Sequence, residues 1–346
     1  MSSNHFRIAI VGAATLKGRE LKDALEEVNF PAIDVKLLDD DESLGQLESV
    51  GEEATFIQNV VPERFRNVDF AFFASDEGFT RRHWKAARGS GSTVIDLSYA
   101  LENEPGILVN SPWIEREFES KGPRSNIDLG TSAAVIAHPA ATVLALLLMR
   151  IHRAHRIKNV VTTVFEPVSE MGKRGMDELH QQTVNLLSFQ SMPKTVFDEQ
   201  IAFNMVARFG EAANASLEAV EERILRHYQH ITGKELPVPS LMLVQSPVFH
   251  AHTFSIYIEL EQPEEAAQLQ EALRGEHVTV TMKPEDSPSN VNAAGQDHIL
   301  VAVRPDAAKK NAVWLWVAAD NLKIAAITAV ECASALSMVR PSGKVQ

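Results

Sequence analysis

The first 28 residues constrain the fold more than any other stretch. Phe6-Arg7-Ile8-Ala9-Ile10-Val11 is an apolar run of strand length, and Gly12 ends it. Residues 16–28 then place Leu21, Leu25 and Val28 at helical spacing. Strand, glycine turn and helix form the opening of a dinucleotide-binding unit, in which the turn brings backbone N–H groups to a helix N-terminus. A strand this apolar must be covered on both faces, as happens in a parallel sheet with crossover helices.

The same pattern recurs. Val68-Asp69-Phe70-Ala71-Phe72-Phe73-Ala74 and Thr93-Val94-Ile95-Asp96 read as two further buried strands. A helix bearing Trp84, Ala87 and Arg88 separates them. Asn159-Val160-Val161-Thr162-Thr163-Val164-Phe165 is rich in β-branched residues. Val313-Trp314-Leu315-Trp316-Val317 reads as a strand of large side chains, and residues 327–338 supply a closing helix. The fold class is therefore α/β. Internal repeats and low-complexity segments are absent from the sequence.

Midway, Ala133-Ala134-Val135-Ile136-Ala137 is an apolar run that breaks at Pro139, and an apolar helix begins just beyond it. A helix start is where unpaired N–H groups and the dipole lower the pKa of a cysteine. Here the position holds Ala141.

The junction His138-Pro139-Ala140-Ala141-Thr142 resembles that of the aspartate-semialdehyde dehydrogenase family. Members carry asparagine-proline-asparagine-cysteine-serine/threonine there, and the cysteine forms the covalent intermediates. The resemblance extends through Ile201-Ala202-Phe203-Asn204 and Asp320-Asn321-Leu322-Lys323 to essentially the whole chain. It implies a Rossmann-like domain, residues 1–139 with 320–346, and an α+β dimerisation domain with a mixed or antiparallel sheet, residues 140–319. It also implies a homodimer, or a heteromer with an active paralogue.

The departures fall where the family does chemistry. Glu166 stands at the active-site glutamine, Gln245 at the arginine for the substrate carboxylate, and Glu102 at the arginine for phosphate. His252 matches the acid/base histidine, and Arg223 keeps one basic position. His250 and His252 lie two apart, so on a strand both would face one way. Without a third ligand nearby, two imidazoles do not define a metal site, and none is expected. Thr142 lacks an adjacent base and reads as a first-turn helix residue.

The cofactor positions also depart. The family's G-x-x-G-x-x-G turn keeps Gly12 and Gly18 but has Thr15 at its centre, where a side chain would crowd a pyrophosphate. Asp39-Asp40-Asp41-Glu42 would repel the 2′-phosphate of NADP. NAD stays open because Asp39 lies at the right distance to take a ribose hydroxyl. Asn321, in the signature returning the chain to the first domain, is a further cofactor-binding candidate. The family's glycine pair is replaced by Asp76-Glu77, and the glycine it carries after the basic residue at Lys323 is missing.

Composition bounds the partners. A net charge of −13 over 346 residues argues against nucleic acid and against an anionic membrane surface. The longest apolar run, near residues 143–149, is too short to span a bilayer. One cysteine, Cys332, excludes an intrachain disulfide, and the N-terminus carries no export signal, so a cytoplasmic location is expected. The leading expectation is a catalytically impaired family member acting by dimerisation or ligand sensing, with no committed cofactor. The alternative is an NAD-dependent oxidoreductase using His252, Glu166 and Asp39. A third reading, a small-molecule binding module using the old cleft, has amines or cations bind near Glu102 and Glu166.

Overall fold

The computed structural model describes residues 5–50, 53–119, 131–233 and 236–339. The chain divides into two compact units, Met1–Ala137 with Ala325–Gln346, and His138–Ile324. Residues 340–346, assigned from sequence to the first domain, lie outside the described residues.

The first unit runs β1 (Phe6–Val11), α1 (Leu16–Glu27), β2 (Ala32–Asp39), β3 (Leu47–Val50), β4 (Glu53–Phe56) and β5 (Gln58–Asn59). It continues with β6 (Phe70–Phe73), α2 (Glu77–Gly89), β7 (Thr93–Asp96), β8 (Leu108–Asn110), α3 (Pro112–Glu119) and β9 (Ala133–Ile136). Seven strands form one parallel sheet in the order β5-β2-β1-β6-β7-β9-β8. The order reverses between β1 and β6, so the crevice beyond their carboxyl ends is the switch point where such sheets bind ligands. Ile8, Ile10, Phe70, Phe72 and Phe73 are fully buried. Burial of both strand faces explains why these runs are continuously apolar.

The second unit comprises α4 (Pro139–Ala154), β10 (Ile157–Glu166), α5 (Gly172–Leu187), α6 (Leu217–Thr232), β11 (Ser240–Gln245) and β12 (His252–Leu260). It goes on through α7 (Ala266–Leu273), β13 (Val278–Val280), α8 (Asn290–Ala293), β14 (Ile299–Pro305) and β15 (Ala312–Ala319) to the start of α9 (Asn321–Val339). Its sheet is mixed, in the order β11-β10-β12-β15-β14-β13. The β10–β11 and β13–β14 pairs are parallel and the other three antiparallel. Val160, Val164, Phe254, Ile256, Leu315 and Val317 point to the buried face, with α4, α6 and α7 packed against the same layer. The opposite face carries Val161, Met242 and Trp316, all exposed.

Asp320 caps α9. Its Oδ1 accepts from Leu322 N–H at 2.9 Å and Lys323 N–H at 3.0 Å, and its Oδ2 accepts from Gly295 N–H at 2.7 Å. Two donors at the helix start are thereby satisfied. Among the described residues, no helix is long and apolar enough to cross a membrane.

Candidate active site

The site grows from the start of α4. His138 is its N-cap: Nδ1 accepts from Ala140 N–H at 3.2 Å, and Pro139 holds the first helical position, where a missing N–H costs nothing. The backbone N–H of His138 donates to Nδ1 of His227 at 2.9 Å. Ala141 follows, fully buried, and Thr142 donates its N–H to the carbonyl of His138 at 3.0 Å. Cys332 lies buried in α9, where desolvation, helped by Glu115, raises the thiol's pKa and suppresses the thiolate.

Three strand ends bring the other groups together. Glu166 closes β10 opposite Gln245 on β11, and the β10–β12 register sets Phe165 against Thr253, one step from Glu166 and His252. His252 Nε2 lies 2.9 Å from Glu166 Oε2, and each side chain is 1% exposed. Burial favours the neutral imidazole. The hydrogen bond and charge of Glu166, with the charges of Glu170 and Asp320, outweigh it, and the pKa of His252 is raised above its ordinary 6.5. Gln245 is also buried, its amide donating to the carbonyls of Glu166 at 2.9 Å and Ser246 at 3.1 Å.

A ring nitrogen of His138 and carboxylate oxygens of Glu166 and Glu170 lie within 4.8 Å of one another. These separations suit a metal, but the hydrogen bonding favours proton sharing. With Nδ1 of His138 accepting from Ala140, the neutral ring carries its proton on Nε2 and presents a donor there. Glu166 is already paired with His252. The His138 and His252 rings are 5.7 Å apart between centroids. Two imidazoles and two carboxylates thus form a compact acid–base cluster within the second unit.

Asn321 is built into the support of this cluster. Its Oδ1 accepts from Ala251 N–H at 3.2 Å, and its Nδ2 donates to Glu170 Oε1 at 2.8 Å and to Ser169 Oγ at 3.1 Å. The sequence expectation for His250 needs correction. β11 ends at Gln245 and β12 begins at His252, while Ala251 takes a left-handed φ of 69°. His250 is therefore on a loop and does not share a strand face with His252. Glu166 is buried, its carboxylate against His252.

Gly12, Gly18 and Asp39 belong to the first unit. Gly12 has φ 87°, and a Cβ there would come within 2.6 Å of Ser75 N. A Cβ at Gly18 would meet the carbonyl oxygen of Gly12 at 2.1 Å. Both glycines are thus required by the turn itself. Asp39 is buried, its Oδ2 accepting from Ala14 N–H at 2.7 Å and its Oδ1 from Asp40 N–H at 2.9 Å. Burial nevertheless raises its pKa. Asp76 caps α2 through Phe79 N–H at 2.8 Å, and Glu77 pairs with Arg81 at 2.8 Å. Those two carboxylates do helix work. Glu102 is half-buried.

Sequence reasoning missed His138 and Glu170 as members of the cluster, and His227 as the acceptor for the His138 backbone N–H. A polar residue directly before Pro139 was an available N-cap signal for His138. No local signal marks Glu170, which joins through contacts distant in sequence.

A parallel switch-point sheet and a separate mixed-sheet unit holding a buried histidine–carboxylate pair give the protein the build of an α/β protein with a Rossmann-like unit. Family models agree. The semialdehyde dehydrogenase NAD-binding domain matches residues 7–121, and the semialdehyde dehydrogenase dimerisation domain matches residues 148–324. The chain is 32% identical over 342 residues to the aspartate-semialdehyde dehydrogenase of Rickettsia bellii, covering 96% of this chain and 97% of that one. It is 32% identical over 333 residues to the USG-1 protein homolog of Pseudomonas aeruginosa, covering 95% and 96%. The solved structure of a probable aspartate-semialdehyde dehydrogenase from Pseudomonas aeruginosa matches with TM-score 0.85 at 29% identity, covering 96% and 99%. The chain belongs to the semialdehyde dehydrogenase family.

Proposed function

We propose that this chain is a catalytically impaired member of its family that works as a dimer. The observation that carries the reading is Ala141, fully buried as the third residue of α4 beside the acid–base cluster. The resemblance assigns that place to the thiolate nucleophile, and a methyl group cannot form the covalent intermediate from which hydride leaves. Gln245 and Glu102 support the reading, since two cations for an anionic substrate are replaced by an amide and a carboxylate. One relative is named aspartate-semialdehyde dehydrogenase and another only USG-1 protein homolog.

Dimerisation is supported by the uncovered sheet face. Val161, Met242 and Trp316 are 45%, 55% and 40% exposed on adjacent or nearby strands of a region matched by a dimerisation-domain model. The partner is a second copy, or an active paralogue presenting the same face. The test supplies purified protein with aspartate semialdehyde, phosphate and NAD or NADP, and follows reduced nicotinamide by absorbance. The reading requires no turnover; turnover lost in His252→Ala overturns it.

A second reading, an NAD-dependent oxidoreductase acting on another carbonyl substrate, is favoured by the His252–Glu166 pair. A buried imidazole with raised pKa keeps a proton to donate near neutral pH. Asp39, at the end of β2, would face the ribose. Saturable NAD binding abolished by Asp39→Ala supports it, and absence of nicotinamide binding removes it.

A further inference from the structure

We infer that Thr15 closes the phosphate-binding turn of the first unit from within, its hydroxyl and the Asp39 carboxylate holding the backbone groups a dinucleotide pyrophosphate would use. The inference rests on the impaired reading for its setting, but not on the absence of the cysteine.

Thr15 is the N-cap of α1. Its Oγ1 accepts from Gly18 N–H at 3.0 Å, and its O–H has two carbonyl acceptors in reach, Gly12 at 2.8 Å and Ala74 at 3.0 Å. Gly12 ends β1 and Ala74 follows β6, so the hydroxyl spans the switch point of the sheet. Asp39 Oδ2 takes Ala14 N–H from the β2 side at 2.7 Å. Three further turn donors are engaged by backbone: Gly12 and Ala13 N–H bond the carbonyl of Leu38, and Thr15 N–H bonds that of Gly12. A pyrophosphate binds such a turn through its N–H groups and the helix dipole. To use the N–H groups of Gly18 and Ala14 it would have to break the Thr15 cap and displace the Asp39 carboxylate. The consequence for specificity is that the turn retains its shape while refusing the ligand.

Glycine is nearly as good an N-cap as threonine, costing only a few tenths of a kcal/mol. Thr15→Gly therefore removes the hydroxyl and leaves the fold. Thr15→Ser keeps the hydroxyl and removes only the methyl. Full-length wild type, Thr15→Gly and Thr15→Ser are titrated with NADH, reading nicotinamide fluorescence, with thermal unfolding as the fold control. The expected result is affinity at least about tenfold tighter in Thr15→Gly than in wild type, with Thr15→Ser like wild type. Should Thr15→Gly fail to fold, Thr15→Ala is read in its place. The inference is overturned if folded Thr15→Gly, or the substitute alanine variant, binds no better than wild type, or if Thr15→Ser gains as much. Turnover in the semialdehyde assay would defeat the impaired reading and show that wild type takes up a dinucleotide. Equal NADH affinity of wild type and Thr15→Gly without turnover defeats this inference alone, so the two failures remain distinguishable.

Discussion

The imidazole of His252 and the carboxylate of Glu166 meet at 2.9 Å although they lie 86 residues apart in sequence. Both are buried, so neither charge is compensated by water. Removing one partner strands the other. His252→Ala should therefore cost about 3–5 kcal/mol of folding stability, measured by urea denaturation.

The same pair sets a pH dependence. The folded pKa of His252 is above 6.5, so the stabilisation it contributes is fully present below pH 6.5 and is lost as pH rises through the folded value. In Glu166→Gln the carboxylate that holds the proton is gone. Unfolding free energies measured at increasing pH above 6.5 should fall in wild type and lie flatter in the variant. Equal slopes would mean that Glu166 does not raise this pKa.

Asp320→Ala should destabilise by about 2 kcal/mol, because one carboxylate caps two N–H groups of α9 and holds a third from Gly295. Asp320→Asn, which retains one acceptor oxygen, should recover part of that loss in the same denaturation series.

Much of the first unit was legible in the sequence, for a physical reason. β1, β6 and β7 are buried on both faces, so each run announces itself without reference to its neighbours. The glycines of the turn were equally readable. The site was legible only as separate residues. His252 and Glu166 could be named, but their contact depends on the β10–β12 register, and Glu170 joins Asn321 across 151 residues. His250 was misplaced because Ala251 breaks the strand with a left-handed φ, a conformation uncommon for alanine and unmarked in sequence.

Cys332 should resist thiol reagents in the native protein. Its side chain is fully buried and the thiolate disfavoured. Reaction with a chromogenic disulfide should be negligible in buffer and quantitative in denaturant; rapid native labelling would contradict the burial of α9 around this residue.

The exposed sheet face gives a prediction for assembly. A Val161→Asp, Met242→Asp double variant places two charges where an apolar face would be covered, and desolvating them opposes association. Light scattering should report a dimer for wild type and a monomer for the variant, with unchanged circular dichroism. A monomeric wild type would contradict the assembly assigned to this face.

The most direct test of the account is intact-mass spectrometry of the pure protein incubated with aspartate semialdehyde, phosphate and oxidised nicotinamide cofactor, followed by acid quench. With Ala141 in α4 and Cys332 buried, the account predicts a single unmodified mass. An acyl adduct mapping to residues 138–142 would contradict it.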